Sequence, residues 1–344
     1  MRILFLGETY RADAITWIKG VEQASGHEIE TRELFHSGSR TKRKLEAFLF
    51  IWRLIFSKEK YDIVLAERST SYGFFSLAVR AKVRVVAQQG ISDIWPSSGF
   101  RGWYKGFLQR RVYRRVDLIH AWGYVMTYAM LKSGADPSRI LVRPKGLDLS
   151  KFRFFEKSLE APIFTAIVTR SLFPIYHHDK ILTAFSILKE KGIHLNCLII
   201  GDGVEMERLV SQTETLGLQK QINWLGRISN EDLPNYLAQA EIYIAFPETE
   251  GVSASLFEAM ACGCFPIVTD LPANRAFIAN GQNGLLAESC NPVDLANKIE
   301  QFLKNPKKYQ RGIKRNRKYI EQNCNMEDNM KYFFNRYAEL LAQK

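Results

Sequence analysis

Two carboxylates eight residues apart carry the first chemistry in this chain: Glu250 and Glu258 in "PETEGVSASLFEAMACG", residues 247–263. Pro247 closes an apolar run, "EIYIAFP", with the length of a buried strand. "ETEGVSAS" reads as a connecting loop and "ASLFEAMACG" as a helix with Gly263 near its end. Glu250 then lies in the loop, and Glu258 about one turn inside the helix. Glu258 is the one charge in the apolar stretch "SLFEAMAC", where a buried, unpaired carboxylate is costly. Gly251 lets a ligand approach the backbone, and Ser253 or Ser255 can cap the helix. The free N–H groups at the helix start suit a phosphate. Phosphate beside two carboxylates describes a ligand bearing both phosphate and hydroxyl groups, as a nucleotide-sugar does.

The elements that must position these groups alternate between two periodicities. "RILFLG", "HEIETREL", "YDIVLAE", "VRVVAQQ", "DLIHAW" and "RILVRPKGLD" read as strands in the first half, separated by helical stretches. A polar joint follows near residues 149–161, and the alternation restarts. "PIFTAIVTR", "LNCLIIGDG", "INWLG", "EIYIAFP" and "CFPIVTD" read as strands, with amphipathic helices such as "KILTAFSILKEKG" and "NPVDLANKIEQFLKN" between them. The pattern predicts an α/β chain of two doubly wound, Rossmann-like domains facing a cleft. Ligands of open parallel sheets sit outside the carboxyl ends of the strands. Site residues are therefore expected just after "IVTR", "LIIGDG", "INWLG" and "IAFPETEG".

With 344 residues the chain exceeds the usual single core, which also favours two domains. Five cysteines with neither a CxxC pair nor Cys/His metal spacing read as free thiols of a reducing cytosol. "MRILFLGETY" lacks the form of a signal peptide. "LEAFLFIWRLIF" is too short, and with Glu46 and Arg53 too charged, to span a bilayer. The net charge of +12 is uneven: residues 1–150 hold 25 Lys/Arg against 14 Asp/Glu, and residues 151–344 hold 23 against 22. Such asymmetry suits an anionic partner for the first half. Segment 39–60 combines Arg40, Lys42, Arg43 and Lys44 with Phe48, Phe50, Trp52 and Phe56. Segment 101–115 combines six Lys/Arg with Trp103, Tyr104, Phe107 and Tyr113. On helices, this pattern fits an anionic bilayer surface rather than nucleic acid, for which no recognition motif is present.

The stretch from "ETEGVSASLFEAMACG" through "NGLL" resembles the donor domain of the retaining GT-B glycosyltransferases of family 4 (glycosyl transferases group 1). Glu250 and Glu258 match that family's E-x7-E motif. "GDGVEMERL", "INWLGRIS" and "RPKGLDLSKF" fit its other motifs, so the resemblance covers residues 140–305. It implies an enzyme, a glycosyltransferase moving a sugar from a UDP- or GDP-linked donor to a glycan or lipid-linked acceptor with retention of configuration. Residues 1–155 would bind the acceptor, residues 156–323 the donor, and a C-terminal helix from about 324 to 344 would cross back to the first domain. Glu250 would sit by the transferring carbon and Arg170 would neutralise the diphosphate, as the catalytic pair. Glu258 would bind the ribose. Gly251, Val252, Ser253 and Ala254 would hold the sugar and diphosphate, with Gly201 close by. Gly226, Arg227 and Ile228 would present backbone to the base. On the acceptor side the candidates are Gly7 and Gln89.

The chain departs from the family at two places. Where the family carries a lysine five residues after the arginine, this chain has Ile175. With the following helix setting the register, Tyr176 takes that place; Lys180, a turn further on, is the candidate substitute. His177 and His178 lie near it and read as a partly exposed loop-to-helix pair. Where the family often carries a histidine, this chain has Gln88 and Gln89, which can bind a hydroxyl but cannot act as bases. No Asp-x-Asp occurs anywhere, so a cationic side chain and a helix N-terminus are expected to replace a metal, and no cofactor is expected. The expected setting is cell-surface polysaccharide or lipopolysaccharide assembly, in the cytoplasm at the inner face of a bacterial inner membrane. Two alternatives stand beside this reading: a nucleotide-sugar epimerase of the same fold, and a catalytically silent binding subunit. A dinucleotide oxidoreductase is remote, since "FLGETY" lacks G-x-G-x-x-G.

Overall fold

The computed structural model of the chain describes residues 1–34, 40–88 and 99–344. It divides into two units, Met1–Gly146 with Met326–Lys344, and Leu147–Asn325.

The first unit is a six-stranded parallel sheet in the order β2-β1-β3-β4-β5-β6. Its strands are β1 (Ile3–Leu6), β2 (Ile29–Arg32), β3 (Lys60–Glu67), β4 (Arg80–Gln88), β5 (Leu118–Ala121) and β6 (Ile140–Val142). β1 and β5 are buried along their whole length; β1 accordingly reads as an unbroken apolar run, and β5 carries a single buried polar residue, His120. The helix Ala12–Ser25 stops at Gly26, whose left-handed φ of 69° lets its N–H bond back to Glu22 O. The C-terminal helix Met326–Ala342 packs on this helix. Gly20 permits the approach, because a Cβ there would lie 2.4 Å from Met330 Cγ. Trp17 Nε1 donates to Tyr337 Oη at 3.2 Å, and His120 Nε2 shares the same hydroxyl at 2.6 Å.

Both basic segments form helices of this unit, Arg40–Phe56 and Gly99–Tyr113. Each splits its apolar residues between two faces. In the first, Leu54 is buried and Phe50 packs edge-on against Tyr72 and Phe75. Phe48, Trp52 and Phe56, spaced by four, stack along the opposite, exposed side. In the second, Leu108, Val112 and Tyr113 are buried, while Phe100, Trp103 and Phe107 are stacked and exposed.

The second unit is also a six-stranded parallel sheet, in the order β12-β11-β10-β7-β8-β9. Its strands are β7 (Thr165–Thr169), β8 (Asn196–Ile200), β9 (Ile222–Gly226), β10 (Ile242–Ala245), β11 (Phe265–Thr269) and β12 (Leu285–Ala287). Alternate residues feed separate cores on the two faces. Ala166, Val168, Ile242 and Ile244 enter one, and Ile167, Tyr243 and Ala245 the other. The boundary falls at Gly146/Leu147 rather than at 155/156. Leu147 and Phe152 are buried in the second unit's core, and Leu147 N donates to Cys324 O at 2.7 Å. The second boundary, at Asn325/Met326, likewise lies past 323.

Candidate functional site

In the second unit the chain winds outward from β7 through β8 to β9, then returns to the other side of β7 with β10. β7 and β10 are therefore neighbours whose following loops leave the sheet in opposite directions, which opens a crevice at their carboxyl ends. Arg170 follows β7, and the loop holding Glu250 follows β10.

These two residues meet. The Arg170 guanidinium pairs with Glu250 Oε2 and donates to Ser253 Oγ. Ser253 is the N-cap of the helix Ala254–Ala261, and the same oxygen accepts from Leu256 N at 3.2 Å. One hydroxyl thus ties the arginine to the helix start. The Tyr176 ring lies 5.4 Å from the guanidinium carbon, a cation–π contact. Tyr243, from β10, also faces Arg170 and donates to Ser255 Oγ at 2.9 Å. Burial by itself would ease the proton off Arg170, but the Tyr243 hydroxyl and the Glu250 carboxylate outweigh it and hold the group firmly charged. Its Nε and the Thr169 hydroxyl are buried without a hydrogen-bond partner among the described residues.

Beside Arg170 a recess of about 210 Å³ is lined by Gly201, Arg227, Ile228 and Glu258, with Thr169 and Asn230 at its wall. Burial pushes the Glu258 carboxyl up to about 7, against the opposing pull of Arg170 and Lys151. Close backbone approach shapes the recess. A Cβ on Gly201 would lie 2.0 Å from Arg170 O, and one on Gly203 2.4 Å from Leu172 O. Gly226 stands at a left-handed φ of 66°, and its carbonyl accepts from Gly201 N at 2.8 Å.

The fold therefore gathers Arg170, Glu250, Ser253, Gly201, Arg227, Ile228 and Glu258 from four strand ends. Gly251, whose N–H faces Glu250 Oε1 at 3.3 Å, Val252 and Ala254 complete the loop into the helix. Lys180 is not drawn in: it does not line the recess, and its half-exposed ammonium lies 3.6 Å from Asp179 Oδ2. Of the two histidines expected to be partly exposed, His177 is so and His178 is not. His178 is fully buried, and burial pulls its imidazole down to about 4; His177 is mostly covered. Tyr243 and the Tyr176 contact with Arg170 were not anticipated. A phenol inside the apolar strand "EIYIA" was the available signal for Tyr243.

In the first unit, the carboxyl ends of β1 and β3 hold a compact set of charges. Glu8 pairs with Arg68, and its N–H donates to Glu67 Oε2 at 3.1 Å. Lys145 donates to Asp13 O at 2.9 Å. Burial raises the Glu67 carboxyl and lowers the Lys145 ammonium. Gly7 lies against this set: a Cβ there would lie 2.8 Å from Glu67 Cγ. Gln88 is buried, and its Oε1 accepts from Ser69 at 2.8 Å and Tyr113 at 3.1 Å. Gln89 lies outside the described residues.

Two parallel six-stranded sheets with flanking helices, and strand-end chemistry in each, define the GT-B class. Residues 151–319 match the sequence profile of the family described as Glycosyl transferases group 1, a match that covers most of the second unit. It is 25% identical over 187 residues to a D-inositol 3-phosphate glycosyltransferase of Rhodococcus erythropolis, covering 50% of this chain and 42% of that protein. It is 30% identical over 129 residues to an N-acetylgalactosamine-N,N′-diacetylbacillosaminyl-diphospho-undecaprenol 4-alpha-N-acetylgalactosaminyltransferase of Campylobacter jejuni, covering 37% and 33%. The match thus spans less than half the length of these relatives. Among solved structures, a sucrose-phosphate synthase of Thermosynechococcus elongatus superposes over 100% of both chains with a TM-score of 0.82 and 14% identity. Anabaena HepE in complex with UDP and glucose gives 0.76 and 16%, over 100% of both chains. The lipopolysaccharide outer core galactosyltransferase WaaB gives 0.73 and 15%, over 98% of this chain and 100% of that one.

Proposed function

We propose that the protein transfers a sugar from a UDP- or GDP-linked donor, bound by the second unit, to a glycan or lipid-linked acceptor bound by the first, with retention and without a metal. The observation that carries this reading is Arg170, held charged at the β7/β10 crevice beside a recess that ends in the Glu258 carboxyl. In the transition state the bond from the sugar to the diphosphate breaks, and negative charge grows on the leaving phosphate. A guanidinium already fixed by Glu250, Ser253 and Tyr176 stabilises that charge without reorganising. The helix start at Ser253 adds its N–H groups. Glu258 binds the ribose hydroxyls and the backbone at Arg227–Ile228 the base. Glu250 sits toward the sugar, and a phosphate oxygen takes the acceptor's proton on the face the donor leaves. The lack of any Asp-x-Asp supports metal independence.

For the acceptor, the exposed aromatic rows of Arg40–Phe56 and Gly99–Tyr113 on the basic unit support docking on an anionic membrane surface, where lipid-linked glycans are built. HepE is described with UDP and glucose, and the Campylobacter relative is named for a diphospho-undecaprenol acceptor. Both descriptions fit a role in cell-surface polysaccharide or lipopolysaccharide assembly at the cytoplasmic face of the inner membrane. The test is a thermal-shift panel of UDP, GDP, CMP, ADP and NAD, each with EDTA and with magnesium. Saturation at about a hundred times the dissociation constant adds about 2.7 kcal/mol. A shift with UDP or GDP alone, equal with EDTA and magnesium, is expected. A shift that needs magnesium overturns the metal-free account. No shift with any nucleotide, alone or with lipid vesicles, overturns the donor assignment and favours a silent subunit.

A further inference from the structure

Cys290 is the exposed cysteine of the five; Cys197, Cys262, Cys264 and Cys324 are fully buried. Its Sγ lies 3.2 Å from His177 Nε2. Glu248 Oε2 lies 4.0 Å from the same nitrogen. The three groups come from three loops, after β12, β7 and β10 respectively. Each loop is held in place. His177 and Cys290 both adopt left-handed backbone, at φ 49° and 57°, which non-glycine residues enter at a cost. Glu248 N donates to Ile175 O at 2.9 Å, which joins the second and third loops. An exposed thiol within hydrogen-bond reach of an imidazole nitrogen has a base at hand to take its proton, the geometry of an activated cysteine nucleophile.

We propose that Cys290 is a site of reversible thiol modification, with His177 as the acceptor of its proton and low-molecular-weight disulfides as the co-reactant. The Cys290 proton passes to His177 Nε2. The thiolate then attacks one sulfur of the disulfide. A new S–S bond forms to Cys290, the reagent's own S–S bond breaks, and the departing thiolate takes the proton back from the imidazolium. Cys290 is oxidised to a mixed disulfide and half of the reagent is reduced to a thiol, so the step balances. The adduct forms against His177, the residue next to Tyr176, whose ring rests 5.4 Å from the Arg170 guanidinium carbon. Modification therefore disturbs the donor site; this consequence, unlike the reactivity itself, rests on the function proposed above.

The test uses the native full chain and 5,5′-dithiobis(2-nitrobenzoate), a disulfide that releases a coloured thiolate. One equivalent is released quickly at pH 7, faster than glutathione releases it, and mass mapping places the adduct on Cys290. Cys290→Ser abolishes this phase. His177→Asn, which tolerates the left-handed backbone, slows it by about tenfold or more. A rate no higher than glutathione's, first labelling at another cysteine, or no change in His177→Asn overturns the proposal. In parallel, labelled wild-type protein loses its thermal response to UDP or GDP, whichever shifts it, and regains it with dithiothreitol, while Cys290→Ser treated with the reagent keeps it. An undiminished response after labelling removes the coupling to the donor site. A missing response in the unlabelled protein counts against the proposed function, and the thiol titration is read independently of it.

Discussion

At the scale of single residues, Glu258 and Arg170 shape the proposed donor site by opposite routes. Glu258 keeps its proton to about 7 in the folded chain, because burial disfavours the carboxylate more than Arg170 and Lys151 favour it. The unfolded carboxyl releases its proton near 4.5. Folding therefore takes up a proton between these values, and stability falls as pH rises from about 4.5 to about 7. The full loss above that window amounts to at most about 3 kcal/mol. Glu258→Gln should flatten this slope and raise the thermal midpoint at pH 8, while removing the thermal response to UDP. An unaltered pH slope in the variant would show that Glu258 is not the group responsible. Arg170 is the converse case, a buried cation that is never unpaired. Arg170→Ala leaves Glu250 buried without its partner, so a loss of about 3 kcal/mol in urea unfolding is expected, together with loss of donor binding. Arg170→Lys should recover much of the stability but little of the binding, since an ammonium cannot reproduce the guanidinium's simultaneous contacts to Glu250 and Ser253.

At the scale of elements, the site depends on how closely the loops after β7 and β8 approach. Gly201 allows backbone contact where any side chain would strike Arg170 O. Gly201→Ala should therefore destabilise the protein by about 2–3 kcal/mol and close the recess. Urea unfolding measures the first effect and UDP titration the second. A variant of wild-type stability that still binds UDP would mean that the loop yields easily. The strands were legible from their apolar runs, and the loop and helix around Glu250–Glu258 from Pro247, Gly251 and Gly263. The Tyr176 contact was not legible, because a ring's partner across a loop has no sequence period. His178 misled for a related reason: a pair of histidines at a helix start looks partly exposed, and only the packing of Tyr176 and the helix His178–Glu190 buries the second of them.

At the scale of the whole molecule, the excess charge and the exposed aromatic rows fall in the same unit. Replacing Trp52, Phe56, Trp103 and Phe107 together by serine should lower co-sedimentation with vesicles of phosphatidylglycerol by about tenfold or more, at unchanged thermal midpoint, because these side chains cover little of the core. Equal co-sedimentation of wild type and variant would sink the membrane assignment. The sequence alone determined the alternation of strand and helix, the position of one site at the carboxyl ends of strands, and the segregation of basic residues into the first half. Those properties are periodic or compositional, and can be read along one dimension. Only the tertiary structure decided that Arg170 and Glu250, eighty residues apart, form a pair. It also decided that Lys180 stays out of the recess and that the helices Arg40–Phe56 and Gly99–Tyr113 each turn an aromatic row outward while Phe50 and Tyr113 pack inward. The physical reason is the strand order: β10 returns to lie beside β7, and that reversal brings distant loops together at one edge of the sheet.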